Sequence, residues 1–325
     1  MNTPFCIQIE LTQGCNLRCK FCAVAHAYKP NQYKYMSLDT AHVIADRIKE
    51  SKWNPRIEFA MHGEPLLNPN WSEIISVISS ANRKLHITLL TNGYVIAKMG
   101  LPEIADSFFS AGGSTLGIDM YKEHPVSSYI RKIITDNSYD LDYDIRYYPS
   151  DKNANPHARS TDKFIALISD ITENTTGTHS KLSNHAGIAG ELDFSVKDKP
   201  CVKPFREMGI CWDGSVNICC NDFCGECQIG NIHKSSLPEI WDCDVINAYR
   251  RMLLDKGHYL RPCHGCDYTG YRLGLLPDQK GKQTLEPFSE TDKKLIQQNL
   301  NPISAYSKEV IMRFKEYDSN NEHDI

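Results

Sequence analysis

The chain has 325 residues, of which 41% are hydrophobic and 23% are charged, and its formal net charge is −4 at pH 7. This length and apolar content suit one large domain, or a large and a small one, with a real core. The slight negative charge argues against a broad nucleic-acid-binding surface. Because the sequence has neither a run of about eighteen apolar residues nor a signal-like start, we expect no membrane span and no secretion. The expectation is a cytoplasmic protein with reduced thiols.

The first half alternates short apolar runs with amphipathic stretches, a pattern typical of βα units around a parallel sheet. Strands are predicted at 5–11, 56–61, 85–90, 115–120 and 143–148. One helix is predicted after Ser37, a good N-cap, and another around Trp71. A further helix is predicted around 164–171, and the polar stretch 172–190 has room for one last strand.

Three closely spaced cysteines, Cys15, Cys19 and Cys22, follow the first predicted strand. Thiolate sulfur is a soft ligand that holds iron well, and three ligands on a four-iron cluster leave one iron open to a small molecule. A structural zinc site needs four tetrahedral ligands, for which Cys6 and His26 are the nearest further candidates. The triplet therefore favours an iron–sulfur cluster over zinc or simple burial of the thiols.

The Cys-x3-Cys-x2-Cys spacing, with Phe21 directly before the last cysteine, resembles the radical S-adenosylmethionine (radical SAM) family. The resemblance implies an α/β fold, a partial (β/α)6 TIM-type barrel over residues 1–195. It also implies a 4Fe–4S cluster and SAM as cofactors, with one electron splitting SAM into methionine and a 5′-deoxyadenosyl radical. A flavodoxin- or ferredoxin-type electron donor is the partner implied.

Polar residues lie at or near the ends of successive predicted strands, which share one face in a βα barrel. The tripeptide Gly63-Glu64-Pro65 resembles the core of the family's Gly-Gly-Glu-Pro motif, although His62 stands where the first glycine usually does. The resemblance implies that the Glu64 carboxylate accepts a charge-assisted hydrogen bond from the ammonium group of SAM. The alternative is a plain turn, since Gly, Glu and Pro are common turn residues.

Three further residues at this face are candidates for contact with SAM or with substrate. Asn92 and Asp119 could meet ribose hydroxyls or the SAM carboxylate, although asparagine before glycine is also a frequent turn pair. Arg146 could pair with the SAM carboxylate or an anionic substrate group, or form a structural ion pair. His26 and His62 could carry protons, but a lone histidine is more often satisfied by structural hydrogen bonds.

From residue 198 the composition changes, with nine cysteines between 201 and 266. Asp213-Gly214 between apolar flanks predicts a tight hairpin, and a helix is predicted from Leu237 to Met252. This cysteine pattern resembles the SPASM or shorter twitch domain, which implies an auxiliary iron–sulfur cluster, expected to be 4Fe–4S, in a small α+β domain over 196–275. The implied ligands are Cys201, Cys219, Cys263 and Cys266.

No cysteine follows Cys266, so the twitch version with one auxiliary cluster fits better, and zinc is the rival metal. Cys224 and Cys227 could replace a ligand, bind a separate metal or form a redox pair. Cys211 and Cys220 are the candidate catalytic thiols, as donors of a hydrogen atom to substrate. Residues 276–325 are predicted as a helical extension. Apolar residues over 303–314 form a stripe along one face of this helix, which covers the barrel or forms a partner or homodimer surface.

Two enzyme reactions are open. Resemblance to a twitch-type aminocyclitol dehydrogenase implies oxidation of a small polar metabolite such as a sugar, with the auxiliary cluster taking an electron. Epimerisation, in which a cysteine returns a hydrogen atom, or a mutase rearrangement is the alternative.

Peptide modification is disfavoured, because the leader-binding segments of peptide-modifying relatives need roughly 80 residues, whereas fourteen residues precede the first cluster ligand here. A separate recognition protein is conceivable. The non-enzyme alternative is an iron–sulfur electron carrier, which needs neither Glu64 nor an open iron.

Overall fold

The structure is a computed structural model that describes residues 3–121, 125–135, 142–159, 162–168, 183–189, 194–269 and 286–301. The predicted stripe over 303–314 and most of the polar stretch 172–190 lie outside these ranges. In the part of the chain that is described, no helix is long and apolar enough to cross a membrane.

Strands and helices alternate through the first half, as the pattern of apolar runs predicts. In chain order the strands are β1 (Cys6–Ile9), β2 (Thr12–Gln13), β3 (Lys34–Tyr35), β4 (Arg56–Phe59), β5 (His86–Thr91), β6 (Thr115–Asp119), β7 (Asp144–Tyr148), β8 (Phe164–Ile168), β9 (Glu207–Ile210), β10 (Ser215–Asn217) and β11 (Gln228–Asn231). The α-helices are α1 (Ala23–Ala27), α2 (Leu38–Ser51), α3 (Trp71–Ser80), α4 (Tyr94–Met99), α5 (Leu101–Ser110), α6 (Pro125–Thr135), α7 (Leu237–Trp241), α8 (Asp244–Asp255) and α9 (Glu290–Gln298). Short 3-10 helices lie at Pro65–Leu67, Lys152–Ala154 and Lys203–Phe205.

Nine strands form one sheet in the order β11-β10-β9-β1-β4-β5-β6-β8-β7. Neighbours from β9 to β7 run parallel, whereas β10 is antiparallel to both β9 and β11. The sheet formed by the described strands is open at β7 and β11 and does not close into a barrel. The predicted α/β class with a mostly parallel sheet is confirmed.

Apolar side chains of the strands and helices form one buried cluster. Ile7 and Ile9 of β1 belong to it together with residues of α2, α3 and α5. The N-terminus of α2 is capped as predicted, since the Ser37 hydroxyl accepts a hydrogen bond from the Thr40 N–H at 3.1 Å. This layer of helices fixes the sheet from which the functional loops project.

Alternate positions of β1 and β4 carry polar side chains, because successive residues of a strand face opposite sides. Glu58 accepts hydrogen bonds from Gln8 (3.1 Å) and pairs with Arg56 (2.6 Å) and His157 (3.1 Å). Gln8, Arg56 and Glu58 are all buried. The buried charge of Glu58 is therefore paired within the sheet interior.

The predicted helix around 164–171 is wrong, because Phe164–Ile168 forms β8, inserted between β6 and β7. All five residues of this strand are buried. The physical reason is that a run of apolar residues without a polar face suits a strand covered on both sides, and periodicity alone does not separate it from a buried helix.

The C-terminal cysteine-rich region continues the same sheet, because β9 pairs with β1 in register from Cys6↔Glu207 to Ile9↔Ile210. The predicted hairpin at Asp213-Gly214 joins β9 to β10, with Gly214 at φ +80°. The helix predicted from Leu237 to Met252 is instead α7 and α8, separated at residues 242–243. The Ser236 hydroxyl caps α7 by accepting a hydrogen bond from the Glu239 N–H, whereas α8 begins after Cys243, whose extended backbone interrupts the helix.

Candidate active site

The cysteine loop, residues 14–22, is joined to the turn that follows β4. The Gly14 N–H donates to the His62 carbonyl at 2.9 Å, and the Glu64 N–H donates to the Gly14 carbonyl at 3.1 Å. A Cβ atom at position 63 would lie 2.1 Å from the Thr12 carbonyl oxygen, so only glycine permits this approach. The loop and the Gly63-Glu64-Pro65 turn therefore form one structural unit.

The three thiols of the loop are partly buried and lie near carboxyl groups. Burial, followed by the Glu64 carboxylate, raises the pKa of Cys15 to about 12. Burial likewise raises the pKa of Cys22 to about 11, with smaller contributions from Cys19 and Asp119. Because burial and these neighbours disfavour a free thiolate, a bound metal cation would supply the charge that favours one. Three thiols in this setting suit an iron–sulfur cluster.

Glu64 is a buried carboxylate fixed by three hydrogen bonds. Its Oε1 accepts from the Thr91 hydroxyl at 2.7 Å and from the Leu66 N–H at 3.1 Å, and its Oε2 accepts from the Asn92 N–H at 2.8 Å. Burial raises its pKa to about 7 despite these donors. A ligand ammonium group near this carboxylate would favour its ionised form.

Asn92 and Asp119 also lie at the C-terminal ends of their strands. The Asn92 amide donates to Asn16 Oδ1 at 3.0 Å and to Cys15 Sγ at 3.4 Å, so it contacts the cysteine loop directly. Burial, followed by the charge of Glu64, raises the pKa of Asp119 to about 7. Two carboxyl groups close enough to influence each other thus lie beside the thiols.

The other two predicted cofactor contacts have different surroundings. The Phe21 ring lies 6.3 Å, centroid to centroid, from the ring of Tyr121, two residues beyond Asp119. Arg146 is on β7 at the sheet edge, where it pairs with Asp162 at 3.1 Å and Asp144 at 3.2 Å. These two ion pairs favour the structural alternative for Arg146.

A second thiol site lies in the C-terminal region. Cys201 precedes a 3-10 helix, Cys219 follows β10, and the Cys266 N–H donates to the Cys263 carbonyl in a turn after α8. All four cysteines line one cavity, together with Lys203 and Asn221. The structure therefore gathers the four predicted auxiliary ligands from three separate segments, and four thiols suit a closed metal centre.

Sequence reasoning missed two polar residues at this second site. Lys203 is buried, pairs with Glu207 at 2.9 Å and lowers the pKa of Cys201, although burial raises that pKa overall to about 12. The Asn221 N–H donates to Cys219 Sγ at 3.4 Å. Their positions in the sequence could have identified them, since Lys203 lies two residues after the predicted ligand Cys201 and Asn221 lies two residues after the predicted ligand Cys219.

The remaining cysteines of interest lie outside the four-thiol set. Cys227 is buried, and its N–H donates to Asp222 Oδ2 at 2.9 Å. Cys224 and Cys211 line a different cavity. Cys220 lies beside Cys219, whose pKa is raised well above its usual value chiefly by a hydrogen bond involving the Cys220 thiol. The two candidate hydrogen-atom donors, Cys211 and Cys220, thus have different surroundings.

Sequence comparison matches two separate segments of the chain to known families. Residues 9–141 match the radical SAM superfamily, and residues 201–267 match the SPASM family, an iron–sulfur cluster-binding domain. The chain therefore contains a radical SAM domain followed by a SPASM domain. As a radical SAM enzyme it uses a 4Fe–4S cluster with SAM, and its SPASM region is of the kind that binds an auxiliary iron–sulfur cluster.

Individual relatives of this radical SAM enzyme are distant. It is 22% identical over 260 residues to the S-adenosyl-L-methionine-dependent 2-deoxy-scyllo-inosamine dehydrogenase of Niallia circulans. The aligned region covers 78% of this chain and 87% of the dehydrogenase. It is 34% identical to the GTP 3′,8-cyclase of a Synechocystis species over 91 residues, 28% of this chain and 27% of the cyclase. The crystal structure of BtrN in complex with AdoMet and 2-DOIA is similar in fold, with a TM-score of 0.61 and 20% identity over 82% of this chain and 94% of BtrN.

Proposed function

We propose that this radical SAM enzyme is a dehydrogenase that oxidises a small polar metabolite of the sugar or aminocyclitol class. The observation that carries the proposal is the presence of two thiol sites of different kinds, one with three cysteines and one with four. Three ligands leave an iron free for SAM, whereas four saturate a cluster and restrict it to electron transfer. Oxidation of an alcohol to a carbonyl needs this division, because the substrate loses a hydrogen atom and then one proton and one electron.

The proposed SAM site uses residues that the sequence predicted. Cys15, Cys19 and Cys22 would hold the 4Fe–4S cluster, which together with SAM supplies the radical that abstracts hydrogen. Glu64, already fixed by Thr91 and the Asn92 N–H, would accept a hydrogen bond from the SAM ammonium.

Neighbouring residues would position or line this site. Asp119 would accept a hydrogen bond from a ribose hydroxyl, and Phe21 would form part of the wall with its ring near Tyr121. Asn92 would position the cysteine loop, because its amide already binds Cys15 and Asn16. Gly63 and Pro65 would act through the backbone, by allowing close approach of the loop and by starting the 3-10 helix. Arg146, which is paired with two aspartates, is assigned a structural role.

The proposed electron acceptor is an auxiliary cluster held by Cys201, Cys219, Cys263 and Cys266. The Lys203 ammonium would compensate part of its negative charge, and the Asn221 N–H would donate a hydrogen bond to the Cys219 sulfur, since both already interact with these thiols. The substrate class rests on the dehydrogenase relative, whose name specifies an inosamine. The single electron for SAM cleavage would come from a reduced flavodoxin- or ferredoxin-type protein.

The deciding experiment uses protein reconstituted with iron and sulfide without oxygen, then reduced and mixed with SAM and a panel of sugars and aminocyclitols. We expect 5′-deoxyadenosine together with a carbonyl product from at least one alcohol of this class. Formation of 5′-deoxyadenosine with no oxidised product from any member of the panel would contradict the proposed substrate class.

Epimerisation is the second candidate, favoured by one observation, namely the Cys220 thiol beside the auxiliary ligand Cys219. A thiol there could return a hydrogen atom to a substrate radical. In heavy water an epimerase would place solvent deuterium in the recovered product, whereas a dehydrogenase would release a carbonyl without it. Deuterium in the product, lost in a Cys220→Ala variant, would replace the dehydrogenase proposal.

A further inference from the structure

A third cluster of metal-binding side chains lies outside both thiol sites. One ligand atom each from Glu10, His62 and Cys211 lies within 4.8 Å of the other two. These residues are 0%, 1% and 5% exposed. A carboxylate, an imidazole and a thiol that converge out of solvent form a donor set suited to a borderline transition metal.

Hydrogen bonds outside the cluster orient two of these donors. The Trp212 N–H donates to Glu10 Oε2 at 3.0 Å, and His62 Nε2 lies 2.8 Å from the Cys220 carbonyl. Because a carbonyl oxygen only accepts, Nε2 carries the hydrogen, and Nδ1 is the nitrogen that faces Glu10 Oε1 at 3.0 Å. Metal-binding histidines are usually held in this way, with the second ring nitrogen donating to a carbonyl or carboxylate.

The cluster borders a cavity of about 280 Å³. His62, Cys211, Trp212, Cys224 and Tyr28 are among the residues that line it, whereas the cysteines of the two iron–sulfur sites do not. A metal held by the three side chains would therefore have an adjoining space in which water or a ligand oxygen could complete its coordination.

We propose that Glu10, His62 and Cys211 bind one Zn²⁺ ion, with a fourth position open toward this cavity. Zinc sites that bind water or substrate use three protein ligands of these types, whereas purely structural sites close the fourth position. A carboxylate and a thiolate balance the charge of Zn²⁺ in a buried site. His62 stands where the first glycine of the family's Gly-Gly-Glu-Pro motif usually does, so the motif itself does not require a ligand there.

The geometry requires only side-chain adjustment. Donors bonded to zinc at 2.0–2.3 Å in a tetrahedron are roughly 3.3–3.8 Å apart, and the three atoms here lie within 4.8 Å. Binding releases the thiol proton of Cys211 and any proton between His62 and Glu10. A metal-bound Cys211 has no S–H to return to a substrate, which leaves Cys220 as the candidate hydrogen-atom donor.

The test measures metal in the holoenzyme, so it does not depend on which substrate the enzyme oxidises. Protein with both iron–sulfur clusters is incubated with Zn²⁺ and freed of weakly bound ions, after which zinc and iron are quantified by mass spectrometry. We expect about one zinc per chain, and zinc X-ray absorption that shows one sulfur neighbour with nitrogen and oxygen. Absence of retained zinc, or a shell of four sulfur atoms, would overturn the proposal.

Variants locate the ion. Cys211→Ser and His62→Gln should each lower retained zinc at least tenfold while iron content stays unchanged. Cys243→Ser is the matched control and should retain zinc, because the Cys243 thiol donates to the Ile229 carbonyl and belongs neither to the cluster nor to the residues that line its cavity. Full zinc retention in either cluster variant would overturn the assignment. If a variant also loses iron, the zinc X-ray absorption spectrum of the unmutated protein decides whether the ion has the expected single sulfur neighbour.

Discussion

The two cysteine sites of this enzyme differ in how their ligands are supplied and in what surrounds them. The N-terminal site takes three thiols from one loop, beside the carboxyl groups of Glu64 and Asp119. The C-terminal site takes four thiols from three segments, beside the buried ammonium of Lys203. Carboxyl groups suit a cationic ligand such as SAM, whereas a closed thiol set with a cation nearby suits storage of an electron. The difference between the sites supports the proposed division between bond cleavage and electron transfer.

Removing one N-terminal ligand should produce the largest effect. Cys19→Ala leaves two thiols, which cannot hold the cluster, so we expect at least a hundredfold loss of 5′-deoxyadenosine formation. Chromatographic assay after anaerobic reconstitution measures this. Cys243→Ser is the control and should keep its activity. Substantial SAM cleavage by Cys19→Ala would exclude the three-cysteine assignment.

Removing an auxiliary ligand should separate the two functions. In Cys263→Ala we expect SAM cleavage within about threefold of the unmutated rate, but at least a tenfold loss of oxidised product. Both compounds are measured in the same reaction. An equal loss of 5′-deoxyadenosine and product would remove the division between the two sites.

The Glu64 carboxylate should control SAM affinity and its pH dependence. A hydrogen bond to a charged group contributes about 1.5–3 kcal/mol, so Glu64→Gln should weaken SAM binding roughly ten- to a hundredfold. Because burial raises the pKa of Glu64 to about 7, the free enzyme binds SAM less well as the pH falls below that value. Equilibrium binding at several pH values measures both effects, and the Gln variant should lack this pH dependence. Unchanged affinity in the variant would remove the assignment.

Substitution of Lys203 should have the smallest effect, a change in reduction potential confined to the auxiliary cluster. Replacing it by methionine removes a positive charge beside the thiolates, so the auxiliary cluster's reduction potential should fall by on the order of tens of millivolts. Redox titration followed by electron paramagnetic resonance measures the shift. Lys256→Met, which removes a half-exposed lysine, is the control. A shift of the N-terminal cluster instead would contradict the placement of this charge.

Local patterns predicted the parts of the site that are near in sequence. The strand before Cys15, the turn at Gly63-Glu64-Pro65 and the hairpin at Asp213-Gly214 follow from turn chemistry and apolar runs. The strand at Phe164–Ile168 was misjudged, because five consecutive buried residues carry no periodic signal.

Contacts between residues far apart in the sequence were harder to predict from the sequence alone. The resemblance to a known cysteine pattern grouped Cys201 with Cys263, and the structure brings both to one cavity. No local signal places Glu10 beside Cys211, since their approach depends on the pairing of β9 with β1. The same holds for the amide of Asn92, which reaches Cys15 only because β1, β4 and β5 are neighbours.

The position of β1 inside the sheet has a consequence for how the protein can be divided. β1 is bonded to β4 on one side and to β9 on the other. A fragment ending near residue 200 would leave the β9 side of this strand without backbone partners, and such edges recruit other chains. The N-terminal half expressed alone should consequently aggregate, and co-expression with the missing half should rescue its solubility.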